Sequence, residues 1–334
     1  MPASPVDVLA PPLLRRRRLL AFASAGVWPC VALAQPAFPS RALTLVVPYT
    51  AGGASDIGAR MLTAELGRLL GQTVVVDNVA GAAGALGTQK VARAAPDGHT
   101  MLYGSLSEAL LVPLINPATT YKIDDLLPVA FVGGTPAVFV VRPDFPANTL
   151  DEFIALARRQ PGKFSYASPG IGTFQHVVGE AFKSRTGIFM VHIPYRGGTQ
   201  ILTDVIGGQV DLGITSAVNA AGFVSGGRLK AIGVTSNARI AAMPSVQAYG
   251  ESAPLKGLEM TTWGVIYAPA GTSEPVVKRL NEAVNAALML PANVDARKRL
   301  GADLPAPMSP AQTRAFVQAE RAKYEPIVRG IKFE

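Results

Sequence analysis

Cysteine is all but missing: Cys30 is the single one in 334 residues. A disulfide framework and a thiolate zinc site are therefore excluded. Histidine is nearly as scarce. His99, His176 and His192 are far apart and none stands in an H-E-x-x-H arrangement, so no metal centre is expected. There is no G-x-S-x-G elbow and no P-loop. Gly170-Ile171-Gly172-Thr173-Phe174-Gln175 begins like a dinucleotide fingerprint but lacks the third glycine, and no cofactor is expected. Past the first eighteen residues no run of Lys or Arg carries interleaved aromatics, which excludes a nucleic-acid surface of the usual kind. No apolar run is long enough to span a membrane.

What is present begins with a leader. Arg15 to Arg18 form a basic stretch, Leu19 to Val31 an apolar one, and Ala32-Leu33-Ala34 an A-x-A cleavage pattern. Residues 1–34 thus read as a secretory signal peptide, which places the protein in the periplasm. The adjacent arginines leave Sec and twin-arginine export both open. The formal charge of +8 includes four Arg and one Asp of this leader, leaving +5 for the rest. The remainder is long enough for two domains with cores of their own.

The chain is organised around Pro48-Tyr49-Thr50-Ala51-Gly52-Gly53-Ala54-Ser55-Asp56. Before it, Leu43 to Val47 is a short β-branched run and reads as a buried strand. After it, apolar residues at 57, 61, 62, 66, 69 and 70 fall on one helical face. A strand-to-helix turn of this kind presents unpaired N–H groups at the positive end of a helix. Gly52 and Gly53 would let a ligand approach them, and Ser55 or Asp56 would cap the helix. A small carboxylate fits such a turn. An ordinary capped βα turn fits the same residues.

The pattern then repeats. Strands are predicted at 73–77, 99–103, 164–167, 190–194, 210–214, 229–235 and 262–268. Helices follow most of them, and Thr149 and Ser309 are expected to cap two more. Leu127 to Arg142 is β-rich but contains Pro128, Gly133 and Gly134, so it reads as one strand and a crossing. Alternation at this spacing predicts parallel βαβ units and an α/β fold. Two lobes are expected, residues 35–140 with 236–334, and residues 141–235. Ligands of open sheets bind beyond the carboxyl ends of strands. Here those are the loops 48–56, 104–108, 168–176, 194–199 and 215–219. Within them, His176 near Ser168 and Thr173 could pair a base with a nucleophile, or hold the loop by hydrogen bonding. Arg196 could meet a carboxylate or stay solvated. Tyr49 and Tyr195 could stack on a ligand or pack between lobes.

Six segments come together in order: Pro48 to Asp56, Ala95 to Thr100, Ser168 to His176, His192 to Gly197, Leu202 to Asp211 and Ala268 to Thr272. The set resembles the extracytoplasmic solute-binding proteins of tripartite tricarboxylate transporters, the Bug family. The resemblance implies a two-lobed periplasmic-binding fold of type II that closes on a small carboxylate and hands it to membrane permease subunits. Di- and tricarboxylates, acidic amino acids and aromatic acids are the ligand classes it implies. In the family the first strand–helix loop holds one carboxylate, which maps to Tyr49, Ala51, Gly52, Gly53 and Asp56, with Ser55 alongside. Ser105, the facing loop with Ser168, Gly172, Thr173 and His176, the stretch Tyr195 to Gly197, and Thr215 complete the expected ligand contacts. Thr199-Gln200 and Thr215-Ser216 depart from the family's usual residues, which implies a pocket with fewer negative groups. The protein is expected to be a monomer and not an enzyme. A periplasmic sensor for a membrane signalling partner is the alternative, and an exported enzyme using His176 a more distant one.

Overall fold

Strand and helix alternate from Leu43 onward in the computed structural model, which describes residues 38–334 except Gly301, Asp303, Leu304, Pro305, Lys332 and Glu334. The expected leader, with Cys30, lies outside the described residues. The first part runs β1 (Leu43–Val47), α1 (Ala54–Leu70), β2 (Val74–Asn78), α2 (Ala85–Ala92) and β3 (Thr100–Ser105). A π-helical turn over Ser107–Leu111 and the short α3 (Val112–Ile115) lead to β4 (Leu126–Val141). The middle runs α4 (Leu150–Arg159), β5 (Ser165–Ser168), α5 (Phe174–Thr186), β6 (Val191–Pro194), α6 (Gly198–Ile206), β7 (Leu212–Ser216), α7 (Ala217–Ser225) and β8 (Lys230–Val234). Then come β9 (Thr261–Pro269), α8 (Glu274–Leu288), α9 (Pro291–Arg299) and α10 (Pro310–Arg329).

Among the described residues nine strands make one mixed sheet, ordered β2-β1-β3-β9-β4-β7-β5-β6, with β8 also on β4. β1 lies parallel between β2 and β3, and β5 parallel between β6 and β7. These are the βαβ units that the spacing predicts. β4 joins them: Leu126 to Pro136 pair antiparallel with β9, and Ala137 to Val141 pair antiparallel with β7 and β8. The sequence suggested an interruption here, yet β4 runs unbroken through Pro128, Gly133, Gly134 and Pro136. Register shifts at Pro128/Ala130 and Phe131/Gly133 absorb the misfit. Each frees a residue from the ladder, so a missing N–H can be tolerated. Gly133, at φ 119°, takes a conformation that side chains disfavour.

Burial follows sequence period. Leu43, Leu45 and Val47 alternate into a core that receives Ala59, Leu62, Leu66 and Leu70 of α1, spaced three or four apart. Val277, Leu280 and Val284 of α8 close it. Leu62 is fully buried, so Leu62→Ala would cost about 2–5 kcal/mol. A second cluster packs Phe139, Phe153, Phe164 and Phe182 beneath β5 and β7. Helix ends obey local chemistry. Thr149 Oγ1 accepts from the Glu152 N–H at 3.1 Å, as expected, although the Glu152 carboxylate turns to the Asn148 N–H instead. Ser309 and Gln312 form a reciprocal cap with Pro310 in the first turn. Gly71 ends α1 in the left-handed region.

Candidate functional site

The β1–α1 connection differs from expectation at its cap. Neither Ser55 nor Asp56 caps α1; Gly53 holds that position, at φ −80°. Asp56 lies in the first turn and reaches back, its carboxylate accepting from the Gly52 N–H at 2.9 Å. It also accepts from Arg60 Nε at 2.9 Å and Asn78 Nδ2 at 3.0 Å. Burial alone would raise its pKa; the bonds from Arg60, Gly52 and Asn78 outweigh that and hold it below the ordinary value. So the Gly52 N–H is occupied by the protein itself. The N–H groups of Ala54, Ser55 and Asp56 have no partner among the described residues. A glycine cap has no side chain with which to fill them.

Tyr49 is pinned rather than free to stack. Its hydroxyl donates to Glu108 at 2.8 Å, and Ser105 Oγ donates to the same oxygen at 2.6 Å. Glu108 is fully buried in the π-helical turn. Burial pushes its pKa up to about 7 against the hydrogen bonds from Ser105 and Tyr49.

The β5–α5 connection is closed on itself. Thr173 Oγ1 donates to the Gly170 carbonyl at 2.8 Å and accepts from the His176 N–H. The Gly172 N–H donates to His176 Nδ1 at 3.1 Å, and the Phe174 N–H to Ser107 Oγ at 2.9 Å. His176 is fully buried and stacks on His192 at 4.1 Å. Ser168 Oγ lies 2.7 Å from His192 Nε2. Burial pushes the pKa of His176 down to about 4 and that of His192 to about 3, so both are neutral at pH 7. Tyr195 donates to Asp204 at 2.8 Å. Thr215 Oγ1 accepts from Asn219 Nδ2 at 3.3 Å.

Loops from the two ends of the sheet meet. A Cβ on Gly197, before α6, would stand 2.4 Å from Thr50 Oγ1. Between them is a cavity of about 140 Å³. On the scale where one water needs ~10–15 Å³, that is room for about ten waters. Its wall includes the starts of four helices: Ala54 and Ser55 of α1, Gln175 of α5, Gly198 of α6, and Val218 and Asn219 of α7. Gly133, Gly134 and Gly264 line the β4–β9 side, and a Cβ on Gly264 would meet Val132 at 2.7 Å. The described lining residues include no Asp or Glu; Arg297 is the charged one.

Of the residues singled out from sequence, Tyr49, Gly53, Ser55 and Ser105 line this cavity. Ala51, Gly52, Asp56, Ser168, Gly172, Thr173, His176, Tyr195, Gly197 and Thr215 are not in its wall. Arg196 is exposed and also outside it.

The profile of the tripartite tricarboxylate transporter family receptor matches residues 58–333. The chain belongs to that family. It is thus a periplasmic solute-binding protein of the TctC/Bug type. It is 35% identical to BugT of Bordetella pertussis over 294 residues, 87% of this chain and 90% of BugT. The solved structure of the periplasmic binding protein BugD matches with a TM-score of 0.84 and 32% identity, over 89% of this chain and 100% of that one. MatC from Rhodopseudomonas palustris, solved with bound malate, matches with a TM-score of 0.83 and 32% identity, over 87% and 100%. Among the described residues no helix is long and apolar enough to cross a membrane.

Several lining residues of this TctC-type protein escaped sequence reading. Gln175 is the neighbour of His176, and in a first helical turn one position decides which of two side chains faces outward. Ser216 and Asn219 flank Thr215 within a loop already marked, but α7 begins there and rotates them into the wall. Arg297, in Arg297-Lys298-Arg299, has the appearance of a solvated charge run and carried no signal.

Proposed function

We propose that the protein captures a small carboxylate in this cavity and delivers it to the permease subunits of a tripartite tricarboxylate transporter. One observation carries the reading: four helix starts converge on one cavity whose described wall has no acidic side chain. Helix N-termini carry partial positive charge, and the glycine-capped start of α1 adds open N–H donors. Hydrogen bonds to a charged group contribute about 1.5–3 kcal/mol each. Three or four, less ordering costs, suit a micromolar affinity near −8 kcal/mol. Room for about ten waters matches a ligand with about ten non-hydrogen atoms. Malate in MatC is of that size and class.

In this reading the N–H groups of Ala54, Ser55 and Asp56, left open by the glycine cap at Gly53, hold one carboxylate, and Tyr49 and Ser105 shape the entry. Asp56, Ser168, Gly172, Thr173, His176, Tyr195, Gly197 and Thr215 serve by holding the loops. Residues 35–140 with 236–334 act as one lobe and 141–235 as the other, closing as a monomer around the ligand by a hinge motion. The leader directs export to the periplasm.

The test is a thermal-shift and calorimetric screen of the purified protein with mono-, di- and tricarboxylates and acidic amino acids. Micromolar binding of one acid class, with the acid recovered intact, is the expected result. No binding of any acid, with tight binding of a neutral solute, would overturn the carboxylate reading. Transport delivery is tested by uptake in cells carrying the permease, with and without this protein.

A further inference from the structure

The cavity wall contains a cation that no described residue neutralises. Arg297, in α9, is 5% exposed. Its Nη1 donates to the Val132 carbonyl. Its Nε is shielded from solvent and has no partner, and no carboxylate comes within ion-pair distance among the described residues. A buried charge without a counter-charge is costly, and proteins normally supply one. The other described residues of the cavity wall are neutral, Tyr103 and Val132 beside Arg297 among them. Trp263 donates its indole N–H to Glu320 at 2.9 Å, so that carboxylate is engaged by the ring. Tyr103 stands beside the guanidinium. Burial raises the phenol's pKa and the charge of Arg297 opposes that rise. The Tyr103 hydroxyl also rests against Gly58, where a Cβ would come within 2.2 Å of it.

Gly58 lies four residues, about one turn or ~6 Å, along α1 from Ala54 and its open N–H. The guanidinium and the helix start thus face the same cavity a short distance apart. We propose that Arg297 is a second anion subsite of the cavity, binding the far acidic group of a short aliphatic diacid whose first carboxylate is held at the helix starts. The inference rests on the carboxylate reading above. It adds the residue that separates diacids from monoacids. Guanidinium is suited to this task because its donors form a planar fork that matches a carboxylate.

Calorimetry on the whole secreted chain decides it. The probes are succinate, glutarate and adipate, each with its monomethyl ester and the monoacid of equal length. In the wild type the best diacid should bind at least ~10-fold tighter than its ester, the ratio expected of one charge-assisted contact. Arg297→Gln should weaken that diacid ~10- to 100-fold and leave monoacids within ~3-fold. Arg297→Lys, which keeps the charge and protects folding, should restore part of the preference. Tyr103→Phe should cost the diacid a few-fold. Equal binding of diacid and ester by the wild type, or a preference unchanged in Arg297→Gln, would overturn the subsite while leaving carboxylate capture intact. Failure of every acid to bind the wild type would instead remove the reading beneath it. Asp303→Asn is made in parallel. If it and Arg297→Gln destabilise the ligand-free protein equally and neither alters diacid preference, Arg297 serves an internal ion pair and the proposal falls.

Discussion

The β1–α1 and β5–α5 connections have nearly the same sequence logic and different caps. Each is a buried strand, a turn with glycines and hydroxyls, and a helix. At β5–α5 the cap is Thr173, and its hydroxyl, His176 and Ser107 take up the local N–H groups. At β1–α1 the cap is Gly53, and the first three helical N–H groups find no partner among the described residues, beside the cavity. A hydroxyl at the cap serves its own helix; a glycine there leaves the helix end for something else. Glycine content alone does not mark a binding loop. What matters is which residue stands at the cap.

The comparison can be broken most sharply at Gly53. Gly53→Asp supplies the missing cap and places a carboxylate against the open N–H groups. Melting temperature should hold or rise slightly, while carboxylate affinity falls more than ~100-fold by like-charge repulsion. Undiminished affinity in calorimetry would show that this helix start is not the anchor.

The next effect is on stability. Glu108, beside the open loop, has its pKa raised from the ordinary 4.5 to about 7. Below pH 4.5 it is protonated in both folded and unfolded chains. As pH rises to 7 the unfolded chain ionises first, so the folded protein loses stability over that window. Glu108→Gln stays neutral. Its advantage over wild type should therefore grow from pH 4.5 to 7, by about 3 kcal/mol at ~1.4 kcal/mol per pH unit. Urea melts at both ends check this, and a constant difference would contradict the assignment.

A smaller change probes the meeting of the loops. The methyl group of Gly197→Ala would collide with Thr50 Oγ1. Affinity should fall about tenfold, ~1.4 kcal/mol, with little change in melting temperature, because the backbone there is extended. The least effect on binding is expected at the closed loop. Thr173→Ala should cost about 1 kcal/mol of stability and leave affinity within about threefold. A larger loss of affinity than Gly197→Ala would mean that both loops serve the ligand alike.

Much of the fold was legible because period and caps are local signals. The β1–α1 unit, the Thr149 and Ser309 caps and the parallel pairs all follow from a few neighbouring residues. β4 was obscured because Pro128, Gly133 and Gly134 read locally as breaks, while bulges against β9 let the strand continue. The π-helical turn after β3 was read as loop; its driving force is a buried Glu108 gathering Tyr49, some sixty residues away. The cavity wall was legible by loop more than by side chain, with Tyr49, Gly53, Ser55 and Ser105 in it. Asp56 stands in a motif that suggests a ligand contact, yet it spends its carboxylate on Gly52, Arg60 and Asn78. Arg297 is invisible in sequence because its burial depends on where α9 docks.

The open start of α1 has a consequence for heredity. Donors supplied by the main chain survive almost any substitution; only proline removes an N–H outright. Around them, Gln175, Asn219, Thr262 and Arg297 are side chains that one codon can alter. Drift can rewrite this periphery while the anchor persists. A lineage built on such a cavity can therefore exchange one solute for another in few steps, without passing through a form that holds none.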